Sequence, residues 1–297
     1  MQIRILFIAL SLCLWPYVQL SAQEIYYDLY DLRKINSGVI ESQQLLLTGA
    51  SFGSYVNLPG SPRQHNVGVY LPTTKSFSIG VNYYRNTIGI HINHSFQLSI
   101  PILLLNKGSH QVRITPEYWN YHFISDYTNV PLSSLPTGVS GRLVSLANDL
   151  AFTVNYRYKN SFLSVSAKNI SQFNQPSIEI NSLTNRGYYP RGFWETNRYY
   201  LVTLGSTYKF NYLSLQPTFI YQKNSNDIPV YHAGLLFNLL DRFYFGFQSL
   251  STFEEISFSG GILFKKRIRL IYEHLTETGE RRNIAPDFRK LTIQYLL

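Results

Sequence analysis

From about Gln44 onward, apolar and polar residues alternate with a period of two. Tyr200, Val202, Leu204, Tyr208 and Phe210 alternate with Thr203, Gly205, Thr207 and Lys209. Phe243, Phe245 and Phe247 alternate with Tyr244, Gly246 and Gln248. Ile268, Leu270 and Tyr272 alternate with Arg267, Arg269 and Glu273, and Leu291, Ile293 and Tyr295 with Lys290, Thr292 and Gln294. Such alternation puts the two sets on opposite faces of a sheet. A soluble sandwich alternates as well, so the period alone does not decide. The apolar set is crowded with Tyr and Phe near segment ends, as interfacial girdles require, and the segments run about 8 to 12 residues, the length of a tilted strand crossing a bilayer.

Fourteen segments are predicted, at 45–54, 65–71, 76–84, 88–100, 109–121, 150–158, 161–169, 199–209, 212–222, 230–239, 243–250, 255–265, 267–274 and 288–297. Links after even-numbered segments are short, for example Lys159-Asn160, Phe210-Asn211 and Lys265-Lys266. Links after odd-numbered segments include 122–149, 170–198, 223–229 and 275–287, while Arg85–Thr87 and Ser251–Glu254 are short. Short periplasmic turns alternating with longer outer loops are the pattern of outer-membrane barrels. The predicted fold is all-β: a transmembrane antiparallel up-and-down β-barrel of about 14 strands over residues 45–297, with both ends in the periplasm.

Composition agrees. Charged residues are 14% of the chain and aromatics 15%, with 24 Tyr and 19 Phe, yet mean hydropathy is −0.10. Few charges, many aromatic rings and average hydropathy suit a wall with one face to lipid and one to water. Met1–Arg4, the apolar run Ile5–Trp15 and the small-residue site Leu20-Ser21-Ala22 read as a secretory signal over residues 1–22, cleaved near Ala22. Residues 23–44, with Tyr26, Tyr27 and Tyr30, then form a periplasmic N-terminal arm or a plug for the lumen. The single cysteine, Cys13, lies in the signal, so disulfides and thiolate metal sites are not expected. Loss of Arg4 changes the balance from 26 to 25 Lys+Arg against 17 Asp+Glu, a net of +8. Export argues against nucleic acid as the partner of that charge, and no cofactor or metal motif is present.

Candidate chemistry is sparse. His91 and Ser95 share a strand face but stand roughly 13 Å apart at the strand rise, beyond direct proton transfer. Lipid hydrolysis by this pair is therefore disfavoured. His94 falls on the lipid side with Ile92 and Phe96 and needs a partner or a shallow position. Arg113, Glu117, Arg157, Lys209, Arg269, Glu273 and Lys290 occupy the non-lipid face as a candidate lumen lining. Arg113–Glu117 and Arg269–Glu273 are each four apart on one face, and the mixed signs favour a salt-bridged lumen over a selective pore. In the 170–198 loop, Tyr188, Tyr189, Arg191, Phe193 and Trp194 are a candidate partner-binding set, since Tyr, Trp and Arg dominate binding hot spots.

The order of these features resembles the PorP/SprF family of outer-membrane proteins of type IX secretion and gliding motility. The resemblance is carried by Tyr26-Tyr-Asp-Leu-Tyr30, Ile35-Asn-Ser-Gly38, Leu58-Pro-Gly-Ser-Pro62, Val67-Gly-Val69 and Phe77-Ser-Ile-Gly-Val-Asn-Tyr-Tyr84. Phe162-Leu-Ser-Val-Ser-Ala-Lys-Asn169 and Leu215-Gln-Pro-Thr-Phe219 extend it. Members carry Asn-Pro-Ala before the first strand, where this chain has Asn36-Ser37-Gly38. The resemblance implies a non-enzymatic barrel working with periplasmic secretion-machinery components and a secreted or surface-displayed client protein. The alternatives from the residues themselves are a small-solute porin and, behind it, an outer-membrane lipid hydrolase.

Overall fold

The computed structural model describes residues 47–55, 63–72, 76–88, 90–126, 128, 142–168, 170, 199–224, 229–250, 255–265, 267–277 and 287–296. Its strand segments are β1 (Leu47–Tyr55), β2 (Arg63–Pro72), β3 (Ser78–Ile88), β4 (His91–Ser99), β5 (Ile102–Lys107), β6 (His110–Asp126), β7 (Arg142–Tyr158) and β8 (Ser161–Lys168). They continue as β9 (Tyr199–Ser206), β10 (Tyr208–Lys209), β11 (Leu213–Asn224), β12 (Val230–Leu239), β13 (Phe243–Leu250), β14 (Glu255–Phe264), β15 (Ile268–Glu277) and β16 (Phe288–Leu296). All sixteen belong to one antiparallel sheet, and β1 pairs β16 from Leu47–Leu296 through Tyr55–Phe288. That pairing closes the sheet, which is how a membrane wall avoids unpaired edge groups in hydrocarbon. β4 and β5 both pair β6, and β9 and β10 both pair β11. Counting each of those couples once gives a closed barrel of 14 wall strands. There is no helix among the described residues.

Prolines explain both interruptions. The pairs Ser99–Glu117 and Ile102–Ile114 put Ile100 opposite Pro116, and Pro101 follows directly. Neither proline has an N–H to donate. Their carbonyls still accept, from Ile100 N–H onto Pro116 (3.1 Å) and from Ser78 N–H onto Pro101 (3.0 Å). In the other couple, the register puts Ser206 of β9 opposite Pro217 of β11, and the N–H of the following Thr207 bonds the Asn160 carbonyl on the β8 side at 2.8 Å. Farther down, the register of β5 on β6 slips by one between Leu103 and Leu105. This bulge leaves the consecutive Leu104 and Leu105 both exposed.

Three boundaries differ from the sequence reading. Arg85–Thr87 belong to β3, which runs to Ile88 and pairs there with His91 of β4. Residues 102–107 continue the wall. The largest change is in 122–149, read as a loop: 122–126 and 142–149 are the ends of two 17-residue strands paired from Asp126–Arg142 downward. The run Ser145-Leu-Ala-Asn-Asp149 is too polar and small-residue-rich to show the period clearly, although Leu146 and Asp149 do lie on opposite faces.

Alternation sorts the wall as expected. Phe52, Tyr83, Phe96, Leu150, Phe152, Val154, Tyr200, Phe245, Phe258, Tyr272 and Leu291 are exposed on the exterior. The opposite face holds buried Asn82, Gln97, Ser99, Thr115, Thr153, Ser166, Thr203, Thr292 and Gln294. It also carries apolar clusters not anticipated from a polar lumen, Leu201 with Ile220 and Tyr244 with Ile271, Leu236 and Leu263.

The short turns sit together at one end. Leu240 and Asp241 both have positive φ (56° and 52°), and Arg242 N–H bonds the Leu239 carbonyl at 3.0 Å. This is the I′ geometry that matches the twist of the flanking strands. A leucine there pays the left-handed penalty that Asn largely escapes. Leu240→Asn is therefore expected to raise stability by about 0.5–1 kcal/mol, read as a higher denaturant midpoint in lipid or detergent. An unchanged or lower midpoint would contradict the turn assignment.

Candidate functional site

The interior is organised around Glu117 of β6. Its carboxylate has no exposed side-chain surface and meets Lys168 Nζ of β8 at 2.6 Å through both oxygens. Gln97 Nε2 donates to it from β4 (2.8 Å), Trp119 Nε1 from its own strand (3.1 Å) and Thr153 Oγ1 from β7 (3.1 Å). Thr153 in turn touches Ser166 Oγ of β8 at 2.9 Å. Lys168 also stands 5.8 Å from the Trp119 ring centre, within cation–π range.

The register shows why this reach works. Glu117 pairs with Ala151 of β7, and Lys168 lies one residue beyond the Phe152–Ala167 pair, so Ala151 stands between the two charges. A methyl at that position leaves room for the lysine stem to cross a strand. Four strands are thereby tied together by one fully hydrogen-bonded carboxylate.

A second pair, Glu273–Lys290, lies directly across β15 and β16 at 3.4 Å. Arg269 donates to Gln294 Oε1 (3.1 Å) and covers the Tyr244 ring at 4.7 Å. Along β6, Trp119, Tyr121 and Phe123 stack in sequence at 5.8 and 5.9 Å.

The charge partners lie on other strands, not along the same one. Glu117 takes Lys168 rather than Arg113, and Glu273 takes Lys290 rather than Arg269. Spacing along one strand puts residues on a common face, but partners lie laterally, one or two strands away. Lys168 was absent from the candidate lining. The Ser164, Ser166, Lys168 alternation against Leu163 and Val165 was the signal that places it inside. Arg113 is half-buried opposite Asn155. Arg157 donates its Nε to the Lys159 carbonyl at 2.9 Å, and Lys209 is exposed near the turn end.

His91 does not address Ser95. Its Nδ1 lies 2.9 Å from Ser125 Oγ, the residue opposite it on β6. His94 meets the Tyr83 hydroxyl at 2.5 Å and stacks loosely on His122 at 5.9 Å, so its position on the exterior face is partnered. The proposed binding set Tyr188, Tyr189, Arg191, Phe193 and Trp194 lies outside the described residues, as do residues 1–46.

The turn end has its own charge character. Lys107, Lys159, Lys209, Arg242, Lys265 and Arg267 are all exposed there, against Asp241 among the described residues of the same turns. No group of three or more His, Cys, Asp or Glu able to hold a metal occurs among the described residues.

Among solved structures, the chain is similar to the outer membrane protein Omp33 of Acinetobacter baumannii, with 6% identity over 86% of this chain and 98% of that one and a TM-score of 0.52. It is also similar to the toluene transporter TodX of Pseudomonas putida, with 7% identity over 92% and 94% and a TM-score of 0.51. At such identity these likenesses concern the fold alone, an outer-membrane β-barrel. No curated protein matches the chain. Residues 38–295 match the family described as type IX secretion system membrane protein PorP/SprF. That span takes in every strand but the final residue of β16, and the outer-membrane barrel described above is therefore a member of the PorP/SprF family of type IX secretion membrane proteins.

Proposed function

We propose that this barrel is a non-enzymatic accessory of type IX secretion that assists export or surface anchoring of a secreted protein, working through its two ends rather than its interior. The observation that carries the reading is the occluded interior wall. Gln97, Ser99, Thr115, Thr153, Thr292 and Gln294 have no exposed surface, and the Glu117–Lys168 pair is tied off by neighbouring side chains. A water-filled channel would leave such groups wet. The same occlusion disfavours the small-solute porin, and lipid hydrolysis is disfavoured because the His91–Ser125 contact, although at hydrogen-bond distance, lies on the interior face with Ser125 buried away from lipid.

The turn end faces the periplasm in this reading. Its exposed lysines and arginines suit an acidic surface on a periplasmic component of the machinery, since complementary charge steers and orients docking. The loop end, including Tyr188, Tyr189, Arg191, Phe193 and Trp194, meets the client.

A clean gene deletion is expected to abolish surface display of a client protein. Restoring the gene with Lys107, Lys159, Lys209 and Lys265 all changed to Glu should return a folded barrel at normal level without restoring display. Normal display in the deletion strain, or stable single-channel conductance from the reconstituted protein, would overturn the proposal.

A further inference from the structure

One lateral row on the exterior face differs from those beneath it. Phe52 of β1 pairs with His65 of β2, His65 with Arg85 of β3, Arg85 with His94 of β4, and His94 with His122 of β6. Arg63 lies on the same face of β2, two residues nearer the loop end. Five basic side chains thus gather across four adjacent strands, with Arg63 and Arg85 exposed. On this face of β1–β4 and β6 the described residues include one carboxylate, Asp126, and it accepts from Thr128 N–H and Oγ1.

The rows below locate it relative to a membrane. The next is Val67, Tyr83, Phe96, Asn120 and Asn148, and the one after is Val69, Val81, Leu98, Tyr118 and Leu150. Aromatic and amide groups there are knitted together by Tyr118 Oη and Asn120 Nδ2, both donating to Asn148 Oδ1 at 2.7 Å. Along β4 and β5 the exterior stays apolar from Phe96 to Leu105, roughly 30 Å of strand and ~23 Å along the membrane normal at a ~40° tilt. That height is close to the apolar band of such barrels. The basic row therefore stands where hydrocarbon gives way to headgroups on the loop side.

We propose that this row binds the phosphates of a phosphorylated lipid of the outer leaflet. Arginine offers planar, bidentate donation to phosphate, and a row spanning four strands can hold more than one phosphate of a single headgroup. The inference rests on the loop end facing outward. That orientation is tested apart from lipid binding: Thr128→Cys should react with an impermeant maleimide on intact cells, whereas Asn160→Cys should not. Reaction at Asn160→Cys instead would place the row in the inner leaflet and overturn the proposal.

The binding test uses the purified full chain in detergent, with diphosphorylated lipid A, enzymatically dephosphorylated lipid A and phosphatidylglycerol as probes, and retention read by native mass spectrometry. Arg85→Gln is expected to weaken retention of diphosphorylated lipid A about fivefold, the change that corresponds to ~1 kcal/mol per basic group at an anionic surface. Arg63→Gln combined with Arg85→Gln and His122→Gln should weaken it about 25-fold or more. Heat-modifiable gel migration confirms that each variant is folded, and the exposed single variant carries the test should the triple one misfold. Unchanged retention in Arg85→Gln would overturn the proposal. So would equal retention of the dephosphorylated lipid, or of phosphatidylglycerol.

Discussion

Replacing Lys168 by alanine is expected to lower the stability of the folded barrel by about 3–5 kcal/mol, the range for removing one partner of a buried ion pair. The lysine itself is only part of the reason. Glu117 would remain inside the wall with its side chain wholly out of water and its strongest partner gone. Gln97, Trp119 and Thr153 would still donate, so the carboxylate would keep neutral hydrogen bonds but lose the cation. The double variant Glu117→Gln, Lys168→Met removes both charges and is expected to cost much less than either charge-stranding change. Unfolding free energies in lipid vesicles for Glu117→Gln, Lys168→Met and the pair close the cycle that gives the coupling energy. If Lys168→Ala and the double variant were equally destabilised, the network would be contributing shape rather than charge compensation.

A second large effect is expected at Gly205. This β9 residue pairs with Phe162 of β8 on one side and Thr218 of β11 on the other. A Cβ built there would stand 2.6 Å from Phe162 Cζ and 2.9 Å from the Pro217 carbonyl oxygen. The ring could swing aside, but the carbonyl belongs to a strand whose ladder is already interrupted beside Pro217. Gly205→Val should therefore cost about 3 kcal/mol, at the upper end of ordinary overpacking. Adding Phe162→Leu should return part of that loss and leave the carbonyl contact unrelieved. Full recovery in the pair would show that the ring alone excludes a side chain.

Much of the barrel was readable because each strand has only two environments. Where these differ sharply, as for Phe243, Phe245 and Phe247 against Tyr244, Gly246 and Gln248, single-residue alternation carries both the strand and its inward face. The upper part of β7 escaped because Asn148 on the exterior and Ala147 on the interior reverse the usual polarity. Beyond the hydrocarbon, the outer face has no reason to be apolar. The interior network was only half legible. Glu117 could be assigned to the inner face from its own strand. Its partner could not, because whether a lysine can cross from β8 depends on Ala151 between them and on the register of three strands. The candidate partner-binding aromatics around Trp194 remain a proposal resting on residue type.

The seam between β1 and β16 gives assembly a direction. Once β4 with β5 and β9 with β10 are each taken as one wall strand, every other pairing joins strands that follow one another in the chain, so each can form as a hairpin while synthesis and delivery proceed. The seam alone joins distant ends, and its nearest partners in sequence, Tyr55 and Phe288, are 288 − 55 = 233 positions apart. Closing so long a loop is entropically slow. Until residues 288–296 arrive, the free N–H and C=O groups of β1 and β15 form two open edges, which would cost several kcal/mol for each group left unpaired in hydrocarbon. The final nine-residue strand thus acts as the commitment step of insertion: before it docks the protein is an adhesive sheet, and after it docks there is no edge left to adhere.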